Sequence, residues 1–208
     1  MLPVKDDIPT DRLPVVTLAL IAANLLVFLL AGAGAALDHG LIPDAPAAGD
    51  ALASMFVHAG WLHLLANMLF LWLFGPNVED ALGPLRFAAL YLVAGLIALG
   101  AQVAVDPSST TPLAGASGAV AAVMGAYLRL YPWARILCLT FVPLAFTIVE
   151  VPAVALLALQ AALAVVDPGT VAWAAHVAGF AVGLAAARLL AVRVKTPAAL
   201  LARRGTAP

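Results

Sequence analysis

Six apolar runs, each long enough to cross a lipid bilayer, constrain this chain more than any other feature of its sequence. Pro, Gly, Asp or Arg residues separate these runs, which cover roughly residues 14–33, 57–75, 85–104, 114–130, 150–167 and 171–190. A spanning helix needs about 20 mostly apolar residues. Hydrophobic residues make up 64% of the chain and charged residues 10%, so a water-soluble fold would lack the polar surface it needs. We therefore predict an all-α, six-helix membrane protein with a single domain over residues 1–208.

The fifth span needs a choice of boundary. The apolar stretch 136–166 is too long for one helix, and prolines and Glu150 interrupt it. We predict a loop or an interfacial segment over 136–149 and start the fifth span near Glu150. The first run follows an acidic segment without a basic region or a small-residue cleavage site, which favours a retained first span over a cleaved signal peptide.

The ten Lys and Arg residues mark alternate ends of these spans. They precede span 1 or follow spans 2, 4 and 6, whereas the loops 34–56, 105–113 and 168–170 contain none. Positive charge in short loops stays on the cytoplasmic side of a membrane. The pattern predicts a multi-pass protein with both termini in the cytoplasm and an even number of spans. We expect it in the cell (inner) membrane of a prokaryote.

Few polar side chains fall inside the spans, and several of them share one depth. Ser117 and His176 each lie twelve residues before an arginine that marks the inner end of its span. At about 1.5 Å per residue, both sit about 18 Å above the inner boundary. His63 lies at a comparable height above residues 75–76, which we take as the end of span 2, and Asn67 follows it by one turn. Polar side chains at this depth are costly and usually face a functional site.

Small residues favour a close approach of the helices that carry Ser117 and His176. Gly179 and Gly183 follow His176 on one stripe of span 6, and Gly118 belongs to a similar small face on span 4. Close packing would bring the serine hydroxyl within reach of the imidazole for proton transfer. This favours Ser117 as a nucleophile and His176 as its base. They would act as a dyad, since no Asp or Glu lies in the middle of a span.

Hydrogen-bond donors for a developing oxyanion are also present. His63 and Asn67 share a helix face, and the backbone N–H of Ser117 lies in the first turn of span 4. Each residue has a structural alternative, because Ser caps helices and Asn links helices in membranes. Because catalysis needs water, we expect "DPSSTT" and the outer ends of spans 2, 4 and 6 to line a polar cavity open to the outside.

Three blocks of this sequence resemble the signatures of rhomboid intramembrane serine proteases. They are "HAGWLHLLANMLFLWLFGPNVEDALG", "GASGAVAAVMGAY" and "AHVAGFAVG", in the order expected for the second, fourth and sixth helices of that family. The resemblance implies that Ser117 is the nucleophile, His176 the general base, and His63 and Asn67 the oxyanion donors. It also implies that His58 is a structural loop residue. Gly115, Gly118, Gly179 and Gly183 would be structural residues near the site.

The same resemblance implies the chemistry and the partners. A serine endopeptidase of this family hydrolyses transmembrane or juxtamembrane segments of other membrane proteins near the outer face of the bilayer, without a metal or a cofactor. It has no nucleic-acid partner. Ala121 stands where many relatives carry an aromatic residue that stacks on the histidine, and the 34–56 loop lacks their Trp-Arg pair. The alternatives are a catalytically weak or inactive rhomboid-like scaffold and, from the two histidines alone, a proton-relaying transporter.

Overall fold

A computed structural model describes residues 1–142, 145–158 and 172–198 of the chain. Five longer helices are present: α1 (Val15–Ala31), α4 (Trp61–Leu82), α5 (Pro84–Val105), α6 (Ser117–Leu130) and α8 (Trp173–Leu190). The first predicted outer loop contains two short helices, α2 (Ala35–His39) and α3 (Ala48–Ala53). Helix α7 begins at residue 153 and is described as far as residue 158. The fold is therefore mostly helical.

These helices follow the predicted order of spans. Among the described residues, α4, α5 and α8 are long and apolar enough to cross a membrane, while α1 and α6 are shorter apolar helices. The second half of the predicted fifth span, the 168–170 loop and the first residue of the predicted sixth span lie outside the described residues. The chain is a membrane protein with apolar helices, and the count of six spans stays a prediction.

The prediction of an all-α fold was wrong in one region, where the chain forms a sheet. Strands β1 (Leu2–Asp6), β2 (Arg135–Val142) and β3 (Ala145–Pro152) pair antiparallel in the order β1-β2-β3. β-Branched and aromatic residues dominate β2 and β3, and such residues favour strands over helices. The described residues of 136–149, which we predicted as a loop or an interfacial segment, belong to the hairpin of β2 and β3, and the interfacial position stays a prediction. The predicted start of the fifth span at Glu150 was also wrong, because residues 150–152 belong to β3.

Two helix boundaries differ from the prediction in ways that affect the site. Helix α4 does not end at residues 75–76 but continues through Pro76 to Leu82. Proline is tolerated inside membrane helices, where neighbouring groups satisfy the freed carbonyl. Helix α6 begins at Ser117 and not at residue 114. With 14 residues it is about 20 Å long, which is shorter than a hydrocarbon core of about 30 Å.

A buried polar network ties both ends of the described chain to one end of the helix bundle. The Oδ2 atom of Asp6 accepts hydrogen bonds of 2.7 Å from Nδ2 of Asn77 and from the hydroxyl of Tyr127. The Nζ atom of Lys195, beyond α8, lies 2.6 Å from Oδ2 of Asp80. Since α4 and α6 both end at this point, Asp6 and Lys195 lie at the same end of the bundle.

Helix α1 receives its cap from another helix. Its N-cap residue, Pro14, makes no side-chain cap hydrogen bond. Instead, the carboxylate of Glu79 on α4 accepts the backbone N–H groups of Val16 and Thr17 at 2.9 and 2.8 Å, and also the Thr17 hydroxyl at 2.8 Å. The first N–H groups of a helix have no partner within the helix. A buried acceptor on a neighbouring helix removes the cost of leaving them without one.

Candidate active site

Ser117 is the first residue of α6, and a sharp turn at Gly115 precedes it. Gly115 has φ of +117°, a conformation that residues with a Cβ rarely adopt. Its N–H donates to the carbonyl of Ser54 at 2.8 Å, which fixes the turn to the end of α3. The first N–H groups of α6, including that of Ser117, have no acceptor within the helix, and they favour negative charge at this helix end.

The ring of His63 lies directly against this turn. A Cβ on Gly115 would lie 2.6 Å from Cε1 and 2.7 Å from Nε2 of His63, so glycine is needed both for its φ and for the space. The depth that we inferred for His63 rested on the wrong end of α4. The contact with Gly115 nevertheless brings the half-buried His63 ring to the level at which α6 begins, two residues before Ser117.

His58 holds the same turn through a hydrogen bond to its backbone. It is fully buried, and its Nε2 atom accepts the N–H of Ala116 at 3.4 Å. Its ring packs edge-on against His63, with 5.1 Å between ring centroids. Burial, and next the neighbouring His63, lower the pKa of His58 to about 4. The ring is therefore neutral at physiological pH, as an acceptor at Nε2 must be, and it holds the residue that precedes Ser117.

Asn67 lies one turn below His63 and is buried, 6% exposed. Its Nδ2 atom donates to the backbone carbonyl of His63 at 2.9 Å. Since a side-chain amide carries two N–H donors, one remains for another acceptor. The sequence-based expectation that His63 and Asn67 share a helix face holds in the structure.

Helices α6 and α8 are in backbone contact through their small residues. A Cβ on Gly179 would lie 2.1 Å from the carbonyl oxygen of Gly118, and one on Gly183 would lie 1.8 Å from that of Ala122. Neither distance leaves room for a side chain. The expected close approach of these two helices is therefore present, with Ser117 and His176 toward the N-terminal ends of their helices.

His176 is the fourth residue of α8 and is half-buried. The preceding residue, Ala175, faces α6: a Cβ on Gly118 would lie 3.8 Å from the carbonyl oxygen of Ala175. Among the described residues no hydrogen bond joins Ser117 to His176. Such bonds are often long before a substrate binds, and the dyad stays a prediction.

The pocket beside Ser117 differs from the polar cavity that we expected. Ser117, Gly115 and the N-terminal end of α8 contribute to it, but "DPSSTT" and α4 do not. Its other walls are small or apolar side chains, among them Met55 and Ala98. Leu113, which also lines the pocket, is held in place by an antiparallel bridge to Leu41.

Sequence reasoning missed one residue at this site. Gln102, near the end of α5, accepts the backbone N–H groups of Ala174 and Ala175 with its Oε1 atom. The signal that could have identified Gln102 is an amide side chain in an otherwise apolar span. In the described part of the chain, no group of three or more His, Cys, Asp or Glu side chains is placed to hold a metal ion.

Comparison with known proteins identifies the family. The family model described as "Rhomboid domain" matches residues 48–193, which is most of the chain. The chain belongs to the rhomboid family. The matched region contains all the candidate site residues, from His58 to Gly183. The resemblance found in the three sequence blocks is thereby confirmed.

Individual relatives match over shorter stretches. Human "Presenilin-associated rhomboid-like protein, mitochondrial" is 34% identical over 134 residues, which are 60% of this chain and 35% of the relative. "Rhomboid protein 1, mitochondrial" of Saccharomyces cerevisiae is 37% identical over 94 residues, 43% of this chain and 27% of the relative. "RHOMBOID-like protein 5" of Arabidopsis thaliana is 35% identical over 77 residues, 37% of this chain and 25% of the relative.

The chain thus spans about a quarter to a third of the length of these relatives. Two of their names place them in mitochondria, which does not support the expected prokaryotic inner membrane. What is established for this chain is a membrane protein of the rhomboid family.

Proposed function

We propose that this chain is an intramembrane serine endopeptidase that hydrolyses a peptide bond in or beside a transmembrane segment of another membrane protein. Ser117 is the nucleophile and His176 its general base. Membership of the rhomboid family, whose members are generally intramembrane serine proteases, supports this function. We further propose that both termini are cytoplasmic, so that the site opens toward the opposite side.

The proposed reaction uses one proton carrier and several fixed donors. The Ser117 Oγ attacks the scissile carbonyl carbon while His176 takes its proton. The oxyanion that forms accepts hydrogen bonds from the N–H of Ser117, the ring of His63 and the second amide N–H of Asn67. The C–N bond then breaks, and the leaving amine takes the proton from His176. Water, deprotonated by the same imidazole, hydrolyses the acyl-enzyme and restores Ser117.

The observation that carries the proposal is the backbone contact between α6 and α8. Gly118, which follows Ser117, lies against Gly179, which lies one turn below His176. Ser117, at a helix start, and His176, on the first turn of the facing helix, thereby lie on one side of this contact, as a nucleophile and its base would need to. A helix start also provides unpaired N–H groups for negative charge. A proton-relaying transporter would need neither arrangement.

The test is cleavage of a reporter transmembrane substrate by the purified protein in liposomes. Ser117→Ala and His176→Ala should each abolish cleavage, and the double variant should be hardly worse than either, because the residues of a dyad act as a unit. Ser108→Ala and His39→Ala are matched controls at exposed positions and should keep full activity. Substantial cleavage by Ser117→Ala or His176→Ala would rule out the dyad.

The scaffold alternative rests on Ala121. This small residue faces α8, with its Cβ 3.5 Å from the position a Cβ on Gly179 would occupy, so no aromatic ring from this position stacks on His176. If the folded wild-type protein cleaves no substrate and does not react at Ser117, the scaffold function replaces the protease function.

A further inference from the structure

Gln102 supplies the cap that the helix carrying His176 lacks. The N-cap residue of α8, Ala172, makes no side-chain cap hydrogen bond. The Oε1 atom of Gln102, on α5, accepts the N–H of Ala174 at 3.1 Å and that of Ala175 at 3.4 Å. These are the second and third residues of α8, the positions at which a capping side chain normally accepts.

The cap acts on the turn that directs His176. Ala175 immediately precedes His176, and the N–H of His176 donates to the carbonyl of Ala172 at 3.2 Å, closing this first turn. In an apolar environment, N–H groups without an acceptor are costly, so an uncapped turn would open or shift. Any such change moves the Cα–Cβ bond of His176, and with it the imidazole.

The same face of α5 also contacts the helix of Ser117. Ala98 lies four residues before Gln102, and a Cβ on Gly118 would lie 2.7 Å from the Cβ of Ala98. Gly118 in turn faces Ala175. One stripe of α5 therefore contacts the residue after Ser117 and, through Gln102, the residue before His176.

We propose that Gln102 is a positioning residue, which sets the distance between Ser117 and His176 by capping α8 from α5. This inference rests on the proposed protease function for its effect on catalysis, but the cap itself does not. Glu79 caps α1 in the same manner, far from the site, and provides a comparison.

The informative variants differ in one atom or group. Gln102→Met keeps the length of the side chain and removes the acceptor, whereas Gln102→Glu keeps an acceptor at the same place. Thr17→Val is the matched control, because it deletes the hydrogen bond between the Thr17 hydroxyl and Glu79 at the remote cap. It should lower stability and leave kcat unchanged.

The first readout is amide hydrogen exchange of the first turn of α8. In Gln102→Met we expect the amides of Ala174 and Ala175 to exchange about tenfold faster, as for a lost hydrogen bond of ordinary strength. Gln102→Glu should restore slow exchange. Unchanged exchange in Gln102→Met would overturn the cap, whatever the activity of the protein.

The second readout is kinetic. Gln102→Met should lower kcat by about 10- to 100-fold with KM within a few-fold, since a shift of about 1 Å at a reacting pair costs up to about 10²-fold. Gln102→Glu should recover most of the loss. Faster exchange with an unchanged kcat would overturn the positioning role and leave a purely structural cap.

A third readout separates this inference from the proposed function. The imidazole signals of His176 in solid-state NMR, assigned from their loss in His176→Ala, should shift in Gln102→Met and stay unchanged in Thr17→Val. If the wild-type protein is inactive but the signals shift, the positioning stands and the protease function fails. If the signals do not shift, the positioning fails.

Discussion

Adding a single methyl group at Gly179 should disable catalysis more than it destabilises the fold. A Cβ at this position would lie 2.1 Å from the carbonyl oxygen of Gly118, whereas real Cβ atoms essentially never approach closer than 3.0 Å. In Gly179→Ala, helix α8 must therefore move away from α6 by about 1 Å. A displacement of that size between reacting groups costs about 10²-fold in rate, and overpacking costs about 1–3 kcal/mol in stability.

The assay is the initial rate of reporter cleavage in liposomes, measured on the same preparations as thermal unfolding. The rate is divided by the folded fraction, so that a lost fold is not counted as lost chemistry. Gly100→Ala is the matched control, because it also adds a methyl group to a helix glycine but meets nothing within 4 Å. It should be fully active and slightly more stable, since alanine favours helix over glycine.

The two explanations of Gly179 give different results. If close approach sets the distance between Ser117 and His176, Gly179→Ala keeps most of its folded fraction and loses most of its rate. If Gly179 serves stability alone, the rate falls only as far as the folded fraction. A Gly179→Ala protein with wild-type stability and wild-type rate would refute the packing argument altogether.

Three further predictions follow from other parts of the chain. Gly115→Ala should lose activity, because the added Cβ would meet His63 at 2.6 Å and the turn has a positive φ; unchanged cleavage would contradict this. Burial raises the pKa of Asp6 from 3.8 to about 6, so its contribution to stability is present below pH 3.8 and is lost as the pH rises through 6. Asp6→Asn should therefore raise the free energy of unfolding at pH 8 by up to roughly 3 kcal/mol and change it little at pH 4. Equal effects of Asp6→Asn at both pH values would refute this prediction. In a Cys138→Ala background, a spin label on Phe141→Cys should be more accessible to oxygen than to a water-soluble nickel complex, as expected for an interfacial segment; the reverse order would place this residue in water and contradict the expectation.

The sequence was sufficient to predict the helix order and the small-residue contact of α6 with α8. Both depend on local composition and spacing, because apolar runs of sufficient length form helices in a bilayer and glycine stripes permit close packing. The contacts of Gly179 with Gly118 and of Gly183 with Ala122 involve the glycine stripe of span 6 and the small face of span 4 that the sequence pattern identified.

Other features depend on partners far apart in the sequence, and spacing does not reveal them. Strand β2 of the hairpin also pairs with β1, so residues near position 3 meet residues near position 138. The caps on α1 and α8 come from Glu79 and Gln102, more than 60 residues away in each case. A helix cap is usually sought at the N-cap residue itself, and here Pro14 and Ala172 lack a suitable side chain.

The depth of His63 was inferred from an incorrect helix end, because Pro76 suggested a stop that the structure does not show. Proline ends helices in water more reliably than in membranes. The position of His63 relative to Ser117 is set by a different contact, its packing on Gly115. For Ser117 and His176, by contrast, the arginines used to mark the inner ends of the spans do lie in the last turns of α6 and α8, and the common depth of the two residues stays a prediction.

The most direct test of the dyad is covalent labelling with a fluorophosphonate, followed by mass spectrometry of the modified peptide. Wild-type protein should carry one phosphonyl group, on Ser117, and His176→Ala should carry almost none, because the hydroxyl needs its base to attack phosphorus. His39→Ala should label like the wild type. Labelling of a different serine, or equal labelling of Ser117 in His176→Ala, would contradict the assignment of Ser117 and His176 as nucleophile and base.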